Sequence, residues 1–359
     1  MPDFTVIVAT RNRVGELEEC LTHLAAQETG GLFTYEVLVA DNGSTDDTRR
    51  RVEVLQAGFP VPLRYIYEGR PGKPWALNAG LREAKGRIFA FTDDDVLVAP
   101  TWLRGLWTCL REEGIDAVTG KILPLWITAR PAWVTDNYLK FGGTGCLDYG
   151  DRRLHRTDRS NLRWVGGNLA IRREAVERVG GYDVRMIRAQ DTEYYHRCIR
   201  NGITVCYEPE AVVYHKLGGD RLTPDYFRRW RHRTGHYHAY LLPWRKHHLL
   251  TVVPITWYAE TWSSLRSWVA KRLTRRPWEE RFRDELRLRE ASSVWLHRLQ
   301  LWPRWALTVL TGRWSPMDDA TMSSVHSVRA TSRARPIDKS ISRVEGSWPA
   351  DGQLPNRNL

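Results

Sequence analysis

Five short apolar runs alternate with segments of helical periodicity over residues 1–122 of this 359-residue chain. The apolar runs, each of which predicts a strand, are Phe4–Ala9, Tyr35–Ala40, Leu63–Tyr67, Ile88–Thr92 and Ala117–Ile122. The segments that predict helices are Gly15–Gln27, Asp47–Ala57, Pro74–Ala84 and Pro100–Glu112. Strands separated by helices form βαβ units, which need a mostly parallel central sheet flanked by helices. The predicted fold class is therefore α/β.

Three consecutive carboxylates, Asp93, Asp94 and Asp95, follow the fourth predicted strand. In an open α/β sheet, ligands bind beyond the carboxyl ends of the strands. Adjacent carboxylates repel one another unless a cation offsets them, and hard divalent cations take oxygen ligands. The triplet therefore indicates a site for a divalent metal bridging a diphosphate. On these residues alone, a solvated acidic turn is the alternative.

Other polar side chains are predicted at the same edge of the sheet. Thr10, Arg11, Asn12 and Arg13 follow the first strand, Asp41 follows the second, and Lys73 precedes a helix. The backbone N–H groups at a helix N-terminus favour anions, and a lysine adds positive charge. Each residue alone is weak evidence, because polar residues at strand ends are usually solvated. Their convergence beside a carboxylate cluster is more specific, and it favours a nucleotide site.

Four segments resemble the inverting family 2 glycosyltransferases: Val6–Arg13, Glu36–Asp46, Gly72–Gly80 and Phe91–Asp95. The resemblance extends over roughly residues 3–216, and the motifs occur in family order. It implies the GT-A fold, a Rossmann-like nucleotide half (residues 1–122) joined to an acceptor half (residues 123–220). It also implies transfer of a sugar, with inversion, from a nucleoside diphosphate donor to a hydroxyl acceptor. UDP-sugars are the default donors, and cell-surface glycan or polysaccharide biosynthesis is the expected setting.

The resemblance implies roles for individual residues by position. Those expected to bind the nucleotide sugar are Thr10, Arg11, Asn12, Arg13, Asp41, Lys73, Asp93 and Asp94. Asp95 would bind Mn²⁺ or Mg²⁺, and His215, at the end of a short strand, would be a further metal ligand. Asp191 matches the base that removes the acceptor proton, although Gln190 stands where the family usually has Glu. Glu193 is the alternative base.

The acceptor half is less regular in sequence. A strand is predicted over Trp164–Ile171, interrupted by a glycine pair, and Trp164, Gly166, Gly167 and Asn168 match a loop near the donor sugar and acceptor. The glycines permit close backbone approach or form a β-bulge, and Trp164 either stacks on a sugar or packs in the core. Later elements are predicted as helices at 172–179 and 189–201, and strands at 205–207 and 211–214.

A basic, tryptophan-rich segment follows the predicted catalytic domain. Residues 221–314 contain 19 Lys and Arg against 7 Asp and Glu, and they hold 10 of the 17 Trp. We expect a C-terminal helical extension here, followed by a disordered tail over residues 315–359. Trp beside basic residues favours peripheral contact with an anionic membrane surface, and an ordinary helical appendage is the alternative. No nucleic-acid-binding motif accompanies the charge, so nucleic acid is not an expected partner.

The remaining sequence features bear on location and on competing functions. The chain shows no signal peptide or apolar span, and its five scattered cysteines are typical of reduced thiols. These features predict a cytoplasmic protein, in contact with the inner face of the cell membrane if the basic segment binds there. The alternative functions are a non-catalytic nucleotide-sugar-binding or membrane-associated scaffold protein, and a nucleotidyltransferase. The latter usually needs a glycine-rich loop after the first strand, where this chain has only Gly15.

Overall fold

The computed structural model describes residues 1–140, 143–155, 162–241 and 252–310. Its strands are β1 (Phe4–Thr10), β2 (Tyr35–Asp41), β3 (Leu63–Tyr67), β4 (Ile88–Asp93), β5 (Val96–Val98), β6 (Ala117–Trp126), β7 (Leu154–His155), β8 (Leu169–Arg172) and β9 (Val205–Leu217). Its α-helices are α1 (Val14–Ala25), α2 (Thr48–Gln56), α3 (Lys73–Glu83), α4 (Trp102–Leu110), α5 (Asp136–Lys140), α6 (Arg173–Val179), α7 (Gln190–Arg200), α8 (Pro224–Leu241), α9 (Ile255–Leu273) and α10 (Trp278–Leu310). A short 3₁₀ turn, Gly219–Leu222, connects β9 to α8.

One sheet organises the molecule, with strand order β3-β2-β1-β4-β8-β6-β9-β5 and β7 paired to β9. The strands from β3 to β4 are parallel, whereas β8 is antiparallel to both of its neighbours. Because β1, β2 and β4 are parallel, their carboxyl ends meet at one edge. The register places Thr10 beside Asp41 and Ala9 beside Asp93. The predicted α/β fold with helices on a central sheet is confirmed.

The central strands are buried on both faces, as expected for parallel strands covered by helices. Every residue of β1 and β2 is buried. Helix α1 contributes the buried face predicted from its periodicity, formed by Leu17, Cys20, Leu21 and Leu24. Burial of apolar surface contributes about 25 cal/mol per Å², so the two core clusters that include these strands stabilise the sheet that carries the site.

The structure differs from the sequence prediction in three places. Strand β8 begins only at Leu169, so the glycine pair lies in a turn before the strand and not inside it. The two short strands predicted at 205–207 and 211–214 are one strand, β9, whose pairing with β6 shifts register between Gly120 and Lys121. His215 therefore lies within β9 rather than at its end. Strand β5, directly after the Asp triplet, was not predicted.

The C-terminal helices share a core with the irregular part of the acceptor half. This core includes Val134, Tyr138, Leu217, Phe227 and Phe282. Helices α8 and α10 therefore pack against the segment around α5 and the end of β9. None of the helices in the described ranges has the length and apolar character needed to span a bilayer. The predicted disordered tail lies outside the described residues.

Candidate active site

Asp94, the middle member of the triplet, is buried and points back into the protein. Thr10 Oγ1 donates a 2.8 Å hydrogen bond to Asp94 Oδ2, and Arg13 Nη1 lies 2.9 Å from Asp94 Oδ1. Burial raises the pKa of Asp94 to about 6, with Arg13 opposing the rise and Asp95 adding to it. Because both carboxylate oxygens are engaged, Asp94 ties the loop after β1 to the end of β4. This contact leaves it less suited than its neighbours to reach a nucleotide.

Asp95 shares Arg13 with Asp94 and has further cationic partners. Arg221 Nη2 lies 2.8 Å and Arg13 Nη1 lies 3.0 Å from Asp95 Oδ2. Burial alone would raise the pKa of Asp95, but His215, Arg221 and Arg13 outweigh it and hold that pKa well below its usual range. Asp95 is therefore ionised at neutral pH, as a metal ligand must be.

His215 presents a ring nitrogen toward Asp95. Burial lowers the pKa of His215, but Asp95 outweighs it and raises that pKa to about 9, so a metal would have to displace the proton on Nε2. The Nε2 of His215 lies 3.1 Å from Arg221 Nη1, and its Nδ1 donates to the carbonyl of Thr144 at 2.5 Å. Metal-binding histidines are commonly oriented in this way, by donating the other ring N–H to a backbone carbonyl.

Asp95 and His215 fit a divalent cation as two of its ligands. Asp95 Oδ1 and His215 Nε2 are 3.7 Å apart. Two ligand bonds of roughly 2.1 Å each can span that separation. Within the described residues there is no group of three or more His, Cys, Asp or Glu that could hold a metal. The remaining ligands would therefore have to come from water and from substrate oxygens, which is the usual way in which Mg²⁺ binds at phosphate sites.

Lys73 and Asp93 form an ion pair between the start of α3 and the end of β4. Burial lowers the pKa of Lys73, but Asp93, Asp191 and Asp95 together outweigh it and raise that pKa. Lys73 therefore stays charged within the field of three carboxylates. The residue before it, Gly72, has φ +128°, a backbone conformation that a residue with a Cβ rarely adopts. The glycine thus directs the chain into the helix that carries Lys73.

Gly166 and Gly167 lie between Asp191 and the Asp triplet. The Gly166 N–H points at Asp191 Oδ2, 3.3 Å away. A Cβ at Gly167 would lie 3.5 Å from Asp93 Oδ2, and one at Gly166 would lie 3.5 Å from Asp191 Cβ. The glycine pair, Gly166 and Gly167, therefore separates Asp191 from the Asp triplet, and we call it the glycine floor. The absence of side chains keeps the space between these carboxylates open.

Asp191 lies in the first turn of α7 and is held from two sides. Its Oδ1 accepts from the Thr192 N–H at 2.9 Å, and its backbone carbonyl accepts from Trp164 Nε1 at 2.9 Å. Glu193 faces elsewhere, since both of its oxygens lie 2.9 Å from Arg197. The structure thus gives Glu193 an ion-pair role within α7, and Asp191 is the carboxylate that reaches the glycine floor.

Trp164 and Asn168 anchor the loop that carries Gly166 and Gly167. Trp164 is 4% exposed and packs edge-to-face on Tyr195 at 5.2 Å, so its indole lies in the core and not on a sugar-binding surface. Asn168 is fully buried and is committed to three hydrogen bonds, from Trp102 Nε1 and to the carbonyls of Lys121 and Ala211. Of the four predicted loop residues, the two glycines are the ones placed to meet a substrate.

The loop after β2 forms the other side of the site. Asp41 is 1% exposed, with Oδ1 accepting from the Ser44 N–H at 2.8 Å and Oδ2 from Tyr65 Oη at 2.6 Å. Asn12, at φ +52°, accepts from the Thr45 N–H at 2.7 Å and so joins the loops after β1 and β2. Arg11 is exposed beside it. Asp41 and Asn12 thus fix the loops after β1 and β2 at this edge of the sheet.

Arg221 is the site residue that the sequence did not identify. Arg228, further along the chain, is instead paired with Asp225 and Glu285 at 2.8 Å each. Arg221 lies in the 3₁₀ turn only six residues after His215. The signal available in the sequence was a basic residue soon after His215.

Part of the basic charge of the C-terminal helices is balanced by ion pairs within those helices. Arg231 and His238 of α8 both pair with Glu290 of α10, and Lys271 of α9 pairs with Asp284. Burial would raise the pKa of Glu290, but His238 and Arg231 outweigh it and keep that pKa below its usual value. These pairs connect the helices to one another.

Comparisons with known proteins show which proteins this chain is similar to. The family model for glycosyl transferase family 2 matches residues 5–180. The succinoglycan biosynthesis protein ExoM of Rhizobium meliloti is 28% identical over 237 residues, which cover 65% of this chain and 74% of that protein. Glycosyltransferase AglE of Haloferax volcanii is 25% identical over 218 residues, covering 60% and 67% respectively.

A solved structure shares the fold. The mannosyltransferase PcManGT from Pyrobaculum calidifontis, in complex with GDP-Man and Mn²⁺, aligns with a TM-score of 0.50 at 20% sequence identity. The alignment covers 90% of this chain and 86% of that chain. At this identity the likeness shows the fold alone, and it includes the GT-A arrangement expected from the sequence.

Proposed function

Because residues 5–180 belong to glycosyl transferase family 2, we propose that this protein is a metal-dependent, inverting glycosyltransferase. It would move a sugar from a nucleoside diphosphate donor, most simply a UDP-sugar, to a hydroxyl group of a glycan or lipid-linked glycan. The similarity to a succinoglycan biosynthesis protein supports a role in polysaccharide or cell-surface glycan synthesis. Contact with the inner face of the cell membrane through residues 221–314 stays a prediction.

The observation that carries the proposal is the position of the glycine floor. Asp191 contacts Gly166 on one side, and Asp93 approaches Gly167 on the other. An inverting transfer needs this separation, because the acceptor hydroxyl must attack from the face opposite the leaving diphosphate. The diphosphate side would be the triplet with Lys73, and the acceptor side would be Asp191.

Asp191 would act as the general base. Its carboxylate would take the acceptor hydroxyl proton as the oxygen forms its bond to the anomeric carbon and the glycosyl–phosphate bond breaks. The two N–H groups that contact Asp191 fix its direction without neutralising it. A pre-oriented base avoids reorganisation at the moment of reaction.

Cations beside the triplet would stabilise the leaving group. Lys73, Arg13 and Arg221 all lie against Asp93–Asp95, within reach of the edge where a diphosphate would bind. Asp95 and His215 would hold Mn²⁺ or Mg²⁺, which as a Lewis acid would offset the negative charge of the departing diphosphate. Thr10, Asp41 and the loop joined by Asn12 would hold the nucleoside.

The deciding experiment measures nucleoside diphosphate release from a panel of UDP-, GDP- and dTDP-sugars, with Mn²⁺, with Mg²⁺ and with EDTA. We expect one nucleotide class to be cleaved in a metal-dependent way, and Asp95→Asn to lose that activity while staying folded. Nuclear magnetic resonance of the product would show the inverted anomer. Binding of a nucleotide sugar without turnover, over a broad acceptor panel, would instead support a non-catalytic binding protein.

A further inference from the structure

Helix α9 has one face packed against α10 and an opposite face exposed to solvent. On the packed side, Ser264 is buried, and Ser267 Oγ and Lys271 Nζ each lie 2.8 Å from Asp284. The opposite side carries Trp262, Leu265, Val269 and Leu273, which we call the outer stripe. Spacings of three and four residues place these four side chains on a single face of the helix.

All four side chains of the outer stripe are exposed to solvent. Trp262 is 60% and Leu273 78% exposed, with Leu265 and Val269 between them at 37% and 39%. Scattered exposed apolar residues are ordinary, but a continuous apolar row on one helix face indicates an interaction surface. Since the packed face already anchors α9, the outer stripe is not needed to hold the helix in place.

Arginines surround the outer stripe. Arg266 and Arg272 flank it on α9, and Arg275 and Arg276 follow the helix; all four are exposed. None of the four forms an ion pair within the described residues, in contrast to Lys271. Residues 261–278 contain no Asp or Glu. The surface therefore combines an apolar row with uncompensated positive charge.

We propose that the outer stripe is a docking surface for an anionic lipid bilayer. An amphipathic helix of this kind lies in the interface plane, with apolar side chains among the acyl chains and cations at the head groups. Long arginine side chains can reach the phosphates while the neighbouring apolar residues insert. A second copy of the chain is disfavoured as the occupant, because its own arginines would be brought against these four.

The tryptophans of residues 221–314 differ in exposure, and this reduces the predicted membrane-contact surface to the outer stripe. Trp257 and Trp295 pack with the small core that includes Val253 and Val294, so they are held inside the helical unit. Trp262 is the tryptophan of α9 that the structure leaves most open to solvent. The proposal depends on this surface alone and does not require the proposed transferase activity.

The test is sedimentation of the full-length protein with vesicles. The vesicles would contain phosphatidylcholine, either alone or with about a third phosphatidylglycerol to supply anionic charge. We expect binding to the anionic vesicles, weaker binding to phosphatidylcholine alone, and a decrease at high salt. The variant Trp262→Ser with Val269→Ser keeps the charge unchanged and should lower the partition coefficient by at least about tenfold.

Two further variants separate the contributions. Arg266→Gln with Arg272→Gln should lower binding to anionic vesicles by roughly tenfold or more while changing binding to neutral vesicles little. Thr256→Ala with Ser263→Ala is the matched control, since both residues are exposed on α9 outside the outer stripe, and it should bind like the wild type. Circular dichroism and nucleotide-sugar cleavage without vesicles would show that each variant is folded.

Three results would overturn the proposal. The wild-type protein could fail to bind anionic vesicles, or the Trp262 and Val269 variant could bind them undiminished. The third is a wild-type dimer in light scattering that the same variant converts to a monomer, which would make this face a contact between copies of the chain.

Discussion

Replacement of Asp191 by asparagine removes the charge of the proposed base and keeps the shape of its side chain. The aspartate accepts two hydrogen bonds, from the N–H groups of Gly166 and Thr192. An asparagine can accept only one of them through its carbonyl oxygen. The loss of one such bond costs about 1 kcal/mol, so Asp191→Asn should remain folded.

The catalytic effect of this change should be much larger than its effect on stability. General-base catalysis contributes typically about 10²- to 10⁴-fold, equivalent to roughly 3–5 kcal/mol of barrier. Asp191 lies across the glycine floor from Asp93, so the donor site should be little affected. We therefore expect kcat to fall by this factor while the dissociation constant for the nucleotide stays near that of the wild type.

The assay follows nucleoside diphosphate release under saturating donor, metal and acceptor, with donor affinity measured separately by calorimetry. Glu193→Gln is the matched control, because it alters the other carboxylate of the same helical turn. It should lower the melting temperature by weakening the pair with Arg197 and leave turnover close to that of the wild type. If Asp191→Asn kept its turnover while Glu193→Gln lost it, the assignment of the base would be wrong.

Three further predictions test the metal site, the core and the C-terminal helices. Asp95→Asn should reduce Mn²⁺-dependent diphosphate release by at least about a hundredfold, with an unchanged circular dichroism spectrum; normal release would exclude this carboxylate as a ligand. Gly120→Ala would bring a Cβ to 1.9 Å from the Ala211 carbonyl oxygen, and should destabilise the fold by about 3 kcal/mol in urea titrations, whereas Gly15→Ala meets nothing within 4 Å and should not. The lowered pKa of Glu290 stabilises the fold above the ordinary glutamate pKa of 4.5, a contribution lost as the pH falls through the folded value. Glu290→Gln should therefore be less stable near neutrality and lose less stability on acidification in melting experiments, and an unchanged acid profile would contradict this.

The nucleotide half was predictable because its signals are local. Each of its first strands is a continuous apolar run with its own boundaries, as in Phe4–Ala9, and each intervening helix shows its own buried face. Elements that depend on long-range pairing are the exception, even within residues 1–122. Strand β5 has only three residues and exists because it pairs with β9, through contacts such as Leu97 with Tyr214. No periodicity can be read from three residues, so this strand could not be found from sequence.

The candidate site likewise combines features that local sequence predicts with features that depend on distant contacts. Residues placed by strand ends, such as Asp93 and Asp41, lie at the sheet edge where the sequence predicted them. The direction of each side chain was not predictable, because it depends on partners far along the chain. Asp94 turns inward toward Thr10, and Asp95 turns toward Arg221, 126 residues away in sequence. Adjacent residues of the same type thus acquire different roles from their contacts.

The charges at the triplet predict that nucleotide binding and metal binding depend on each other. Lys73, Arg13 and Arg221 contact the carboxylates of Asp93–Asp95, so three cations balance three anions. Without a nucleotide, a divalent cation would be repelled by the arginines at Asp95. Without a metal, a diphosphate would be repelled by the carboxylates.

When both bind, the metal would offset the charge of the carboxylates and the diphosphate would offset that of the arginines, because the arginines could transfer from Asp95 to phosphate oxygens. We therefore expect Mn²⁺ to raise the affinity for the nucleoside diphosphate by at least about fivefold in calorimetry, and the nucleotide to raise the affinity for Mn²⁺ by the same factor. Arg221→Ala should reduce this coupling, since it removes one of the groups that exchanges partners. Equal nucleotide affinity with Mn²⁺ and with EDTA would show that the cations at the triplet are fixed structural partners rather than ligands for phosphate.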